Sequence, residues 1–221
     1  MTGLELGVGR RFRIGDDYGT VLFVGEVAGT SGTWLGVEWD NAAKRGKHNG
    51  DRNGITYFTC GVPNAGSFLR PNTPSIVVGV DFSTALLDKY VDGRRTNGQD
   101  SVILGSSNGA IIVEAPRLDG VRARISQVER LRRISLDNCD VATPGDLTAI
   151  AKLCSSVQSL NLSQSLLGDW EDIMDIIHQM PKITTLELNS NRLRFIRNVK
   201  IRGFPQLTHL RLNSTMMSWA E

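Results

Sequence analysis

Cysteine is scarce in this 221-residue sequence: Cys60, Cys139 and Cys154 are the only three, with no C-x-x-C pair among them. Thiols so few and so far apart suit neither a disulfide framework nor a zinc site. Long apolar runs are missing too. The aliphatic stretches at 76–78 and 110–113 are far too short to cross a bilayer. Glu5 and three arginines by Arg13 occupy the place of a secretory signal's apolar core. No charge of either sign is in excess, since 25 Lys and Arg face 23 Asp and Glu. The balance is local as well: 8 basic and 7 acidic groups in 1–75, 6 and 6 in 76–124, 11 and 10 in 125–221. A dedicated nucleic-acid binder would carry a basic surplus. Neither a nucleic-acid nor a membrane partner is expected, and the chain reads as a cytoplasmic protein with reduced thiols.

Catalytic motifs are equally thin. There is no G-K-[ST] phosphate loop and no H-E-x-x-H metal site. Gly105-Ser-Ser-Asn-Gly109 matches the G-x-S-x-G elbow in form. That elbow needs a helix leaving the serine, whereas a strand-like run at 110–114 and then Pro116 follow. Ser107 therefore reads as a turn residue. No catalytic residue, metal or cofactor is expected, and the chain reads as a non-enzyme.

What the sequence does have is glycine, unevenly spread: 14 of 23 fall in residues 1–66. They punctuate short β-type runs at 20–24, 34–39 and 55–60, the pattern of a small, strongly bent sheet or barrel. Val37 and Trp39 alternate with Glu38 and Asp40, as in a strand with one buried and one wet face. Pro71 and Pro74 mark a boundary, so 1–75 is expected to be one domain. A connector is expected over 76–125, with a short helix at 83–91 capped by Ser83. Its runs 102–104 and 110–114 form a hairpin around the glycine-bounded turn.

The last hundred residues repeat. Leu131-x-x-Ile134-x-Leu136-x-x-Cys139 is followed by the same template beginning at Val157, Ile183 and Leu207, at intervals of 26, 26 and 24 residues. That is the leucine-rich repeat period, and four repeats are expected over 126–221. Each contributes one short strand. The ninth position turns inward to satisfy the backbone, a role suited to Cys139 and Asn191 and less to Ser165 and Thr215. Convex helices are expected at 147–154 and 170–180. Glu221 comes four residues after the last template position with no polar cap, so a frayed, partly exposed last repeat is expected.

Four ordered blocks carry a family resemblance: Trp34-Leu-Gly-Val-Glu-Trp-Asp40, Arg45-Gly-Lys-His-Asn-Gly50, Tyr57-Phe58 and Gly66-Ser-Phe-Leu-Arg-Pro71. Together they resemble the CAP-Gly domain, over roughly 19–72. The resemblance implies a glycine-rich, SH3-like β-barrel that binds acidic carboxy-terminal tails ending in an aromatic residue, such as that of α-tubulin. It places Trp34 and Phe68 in the groove wall and Lys47, His48 and Arg70 on the rim, with Gly46 and Gly50 shaping the loop. Those glycines are expected to leave loop N–H groups exposed to the ligand. Lys44, Arg45, Lys47, His48 and Arg52 put five potential cations in nine residues against one acid, Asp51. The loop departs from the common G-K-N-D-G at His48 and Asn49. Asn49 removes a negative charge beside an acidic ligand, so binding is expected to survive; if the usual acid instead holds the loop shape, Asn49 is expected to weaken it.

The expected architecture is thus α+β multidomain: a CAP-Gly barrel, a connector and a leucine-rich repeat α/β solenoid. That combination resembles the tubulin-folding cofactors. It implies a chaperone that takes part in assembling and dissociating the α/β-tubulin heterodimer, with α-tubulin and cofactor D as partners and a cytoskeletal association. The alternative is a microtubule-associated CAP-Gly adaptor that recruits a partner through its repeats.

Overall fold

A computed structural model describes residues 6–91, 127–194 and 206–215. The first body is β-rich. Its strands are β1 (Arg11–Ile14), β2 (Asp17–Glu26), β3 (Thr33–Trp39), β4 (Asp51–Arg52), β5 (Ile55–Thr56), β6 (Gly66–Leu69) and β7 (Ile76–Val77), with a single helical turn, α1 (Ala42–Arg45), after β3. Five of them form an antiparallel sheet in the order β6-β3-β2-β1-β7. The β2–β3 register slips between Val21 and Phe23, an irregularity of the kind that sharpens strand bending. Bending wraps the sheet around Phe12, Val21, Leu35, Val37 and Trp39, each at most 2% exposed. Phe12 and Trp39 meet edge to face at 5.2 Å, a favoured aromatic geometry.

Three local expectations change. The run at 55–60 is a strand only at its first two residues. Asn53 and Gly54, both at positive φ, close a tight β4–β5 hairpin, after which Phe58 turns inward and is buried. The sheet also runs past Pro74, because β7 pairs with β1 through Val77 and Arg13. Finally, Glu38 is not on a wet face. It is 6% exposed, because a turn and an arginine from the second body cover it.

That second body begins earlier than the repeats. The strand β8 (Val80–Asp81) pairs in parallel with β10 (Val141–Thr143), and α2 (Phe82–Tyr90) follows. Asp81, not Ser83, caps this helix. Its extended backbone (φ −76°, ψ 159°) lets the carboxylate accept the Thr84 N–H at 2.8 Å, the usual N-cap arrangement. Ser83 lies inside the first turn and donates its hydroxyl to the same carboxylate. Phe82, Ala85 and Leu86 are fully buried in the aliphatic core of the second body, so this part of the expected connector is packed. The hairpin expected at 102–114, Ser107 included, lies outside the described residues.

Beyond it stand four three-residue strands, β9 (Arg133–Ser135), β11 (Ser159–Asn161), β12 (Thr185–Glu187) and β13 (His209–Arg211), paired in parallel in the order β13-β12-β11-β9. Ile134, Leu160, Leu186 and Leu210 lie in one register row. Asn138, Gln164, Ser190 and Ser214, four residues after each of these, all have φ between 52° and 58°. The same left-handed residue thus turns the chain out of every strand. The intervening helices are α3 (Leu147–Leu153) and α4 (Trp170–His178). Asp146 caps α3 by accepting the Thr148 and Ala149 N–H groups, and Ile173, Ile176 and Ile177 bury one face of α4. Among the ninth positions, Asn191 does most. Its amide donates to Leu162 O and Leu188 O at 2.8 and 3.1 Å and accepts from Ser165 N–H and Oγ. Leu210 is 43% exposed, whereas its three row partners are at most 2% exposed.

Candidate functional site

The blocks that carried the family resemblance converge on one aromatic cluster. Phe68 on β6 is its hub. Its ring centroid lies 6.4 Å from Trp34, 5.6 Å from Tyr57, 5.5 Å from Phe58 and 5.0 Å from His48, all within the range of favourable aromatic contact. Phe23 joins through Tyr57 at 5.4 Å. Trp34 is half-buried and donates its indole N–H to Thr30 Oγ1 at 2.8 Å. Gly36 on β3 makes this packing possible, since a Cβ there would strike the Phe58 ring and come within 2.9 Å of Phe23 Cβ.

The loop at 46–50 lies along this cluster, pinned by its own backbone. The N–H groups of Gly46, Lys47, His48 and Gly50 all donate inside the protein: to Ala42 O, Gly66 O, Gly66 O again and His48 Nδ1. The expectation of exposed loop donors at the two glycines is therefore wrong. Their reason is close approach: a Cβ at 46 would overlap Asn64 O, and one at 50 would overlap Phe58 O. Gly50 also has φ 107°, a conformation that favours glycine.

His48 and Asn49 both hold loop shape. Asn49 Oδ1 accepts the Asn64 N–H at 2.5 Å. An amide oxygen makes that bond as a carboxylate oxygen does, so the departure from the family's acid keeps the tie. His48 Nδ1 accepts from Gly50 N–H at 3.0 Å, which assigns the proton of the neutral ring to Nε2. Burial lowers the His48 pKa below the ordinary imidazole value. Beneath the loop, Cys60 Sγ lies 4.0 Å from His48 O. Burial, with the Glu38 charge second, pushes this thiol up to about 11, so it stays protonated.

The five-cation cluster is smaller in space than in sequence. Lys44 and Arg45 both clamp Asp17, at 2.7 and 2.6 Å, and hydrogen bonding from Lys44 lowers the Asp17 pKa. Arg70 stacks over Trp34 at 3.7 Å and donates to Ser31 O and Thr33 O, so it braces the indole as well as bordering it. Lys47 is exposed, with no ion-pair partner among the described residues. Of the residues singled out from sequence, Trp34, His48 and Phe68 share one cluster, with Arg70 on its edge and Lys47 and Asn49 exposed on the loop beside it. Sequence reasoning missed Phe23 and the turn at 62–65, and it quoted Phe58 in a block without giving it a place in the site. The signal for Phe58 lay in Gly36, a glycine inside a strand, which marks a place where something large approaches the backbone.

Comparison with known proteins gives three findings. The CAP-Gly domain model matches residues 8–74. Tubulin-specific chaperone E of Bos taurus is 39% identical over 219 residues, that of Homo sapiens 36% over 217, and that of Drosophila melanogaster 36% over 213. The matches cover 97%, 97% and 94% of this chain but 40%, 40% and 39% of those proteins, so the chain spans about two-fifths of their length. Among solved structures, the "Bik1 CAP-Gly domain with ETF peptide from Bim1" is 30% identical and covers 28% of this chain and 75% of that one, with a TM-score of 0.26.

Proposed function

From a chain with a CAP-Gly domain and tubulin-specific chaperone E homologues along nearly all of its length, we propose a non-enzymatic tubulin-folding chaperone. Its groove takes the acidic, aromatic-ended tail of α-tubulin. The observation that carries this reading is the Phe68 cluster, an aromatic surface bordered by exposed Lys47. The rings of Trp34, His48 and Phe68 receive the terminal aromatic side chain. Lys47 and the Arg70 edge attract the glutamates. Exposed ion pairs contribute only about 0.2–1 kcal/mol each, so aromatic burial supplies most of the affinity and salt weakens binding without abolishing it.

The parallel ladder supports reading 126–221 as leucine-rich repeats, with the expected barrel domain of 1–75 carried on through β7 to residue 77. The strand faces are polar, with Ser159, Asn161, Thr185 and Glu187 partly exposed. On this reading they meet the body of tubulin or cofactor D during heterodimer assembly and dissociation, in the cytoplasm and at the cytoskeleton. Two tethered contacts raise the effective concentration of the second.

The test is titration with a peptide ending Glu-Glu-Tyr and with the same peptide lacking its tyrosine. Saturable binding that needs the tyrosine supports the reading, and no binding at low salt overturns it. Microtubule co-sedimentation separates the adaptor alternative: an adaptor pellets with polymer, whereas a chaperone stays with free tubulin.

A further inference from the structure

The two bodies meet at a carboxylate that also supports the loop. Glu38 Oε1 accepts from Val62 N–H at 2.8 Å and from Arg192 Nη2 at 2.7 Å. Val62 starts the turn that closes with Ala65 N–H on Val62 O. That turn is the backing of the loop at 46–50. Asn64 N–H is held by Asn49 Oδ1, Asn64 O lies against Gly46, and Gly66 exchanges backbone bonds with Lys47 and His48.

Arg192 is aimed from the other side. It follows Asn191, which is 1% exposed and bonded to two strand ends of the ladder, so the arginine leaves the ladder at a fixed point. Its Nη1 lies 3.6 Å from Asp40 Oδ1, and Asp40 is gripped bidentately by the buried Arg11. Without Arg192, Glu38 would be a buried carboxylate next to a second carboxylate with no cation of its own. Burying an uncompensated charge is costly. The side chain relieves that cost by swinging toward water, which releases the Val62 N–H.

We propose that Arg192 is a positioning residue for the tail-binding loop: the ladder holds the turn at 62–65, and through it His48 and Asn49, by way of Glu38. The inference rests on the proposed tail-binding reading for the identity of the ligand, though not for the linkage itself. A contact that displaces Asn191 on the ladder is accordingly felt in the groove, and tail binding is felt on the ladder to the same extent.

The test measures amide hydrogen exchange at Val62 and Asn64, together with affinity for the Glu-Glu-Tyr peptide, in the whole chain. Arg192→Ala is expected to speed Val62 exchange about tenfold and to weaken the peptide about threefold to tenfold, the scale of one ordinary hydrogen bond. Arg192→Met keeps the stem without the donors. It is expected to act in the same way and carries the test if the alanine variant fails to fold. Arg192→Lys restores a cation and is expected to recover most of both effects. In a Glu38→Gln background, Arg192→Met is expected to add little, because its effect travels through that carboxylate. Unchanged Val62 exchange in Arg192→Met overturns the inference whatever the peptide does. Equal losses of affinity in the wild-type and Glu38→Gln backgrounds overturn it too. Wild-type protein that ignores the peptide refutes the tail-binding reading whatever Arg192 does to the amides.

Discussion

The β-rich first body and the ladder solve packing in opposite ways. The core of the first body is small, with Phe12 and Trp39 among Val21, Leu35 and Val37, and its backbone approaches so closely that Gly36, Gly46 and Gly50 leave no room for a Cβ. The ladder repeats one aliphatic template. Ile134, Leu160 and Leu186 stack in register, and its helices contribute Ile150, Ile173 and Ile176 to the same buried core. Repetition spreads stability over many similar contacts, whereas close approach concentrates it at a few positions that tolerate no added atom. The ladder is therefore the place to look for large losses of stability with intact binding. In the first body, one methyl group should suffice to remove binding.

The largest expected effect is on the ladder side. Ile150→Ala empties a fully buried site in α3 and is expected to destabilise by about 2–5 kcal/mol in urea unfolding. Peptide affinity should stay at the wild-type value while the protein remains folded. A parallel loss of affinity would break the contrast. In the first body, Gly46→Ala drives a Cβ onto Asn64 O and to 2.7 Å from Ala42 O. An overpacking cost of about 1–3 kcal/mol is expected, with peptide binding lost. Calorimetric titration that found normal binding would show the loop to be softer than its contacts imply.

A smaller effect follows from His48. Its pKa is lowered in the folded protein, so the unfolded chain takes up the proton first. The stability this ring contributes is whole above about pH 6.5 and declines as pH falls through the lowered folded value. Protonation also turns Nδ1 into a donor and breaks its bond from Gly50. In an NMR titration the Gly50 amide should shift together with the His48 ring, and an amide that ignores the ring would rule this out. The smallest effect is expected from Lys47→Ala: less than about tenfold in peptide affinity, shrinking further at high salt. A larger, salt-independent loss would mean that Lys47 is desolvated in the complex.

Much of this was legible in the chain. The ordered blocks named Trp34 and Phe68 for the wall and His48 for the rim, three rings that fold onto one cluster, and the repeat template named Ile134, Leu160 and Leu186, which share one register row. Their signals are local, because a glycine that excludes a Cβ or a leucine every few residues is written at the position where it acts. The cap of α2 was misplaced by two residues, since Asp81 and Ser83 are both good caps and only the backbone turn chooses between them. The five-cation loop was overcounted because Asp17, 27 residues before Lys44 in the chain, is brought beside it by the sheet.

By itself the sequence determined the two periodicities, the glycine positions and the aromatic set, and with them the two kinds of packing. Only the tertiary structure decided which charges remain free, why Glu38 is buried, and that Arg192 lies 2.7 Å from a residue 154 positions earlier. The physical reason is that hydrophobic pattern and backbone strain belong to single positions. A charge's role depends on the partner that folding places within about 4 Å, and no spacing in the chain encodes that distance.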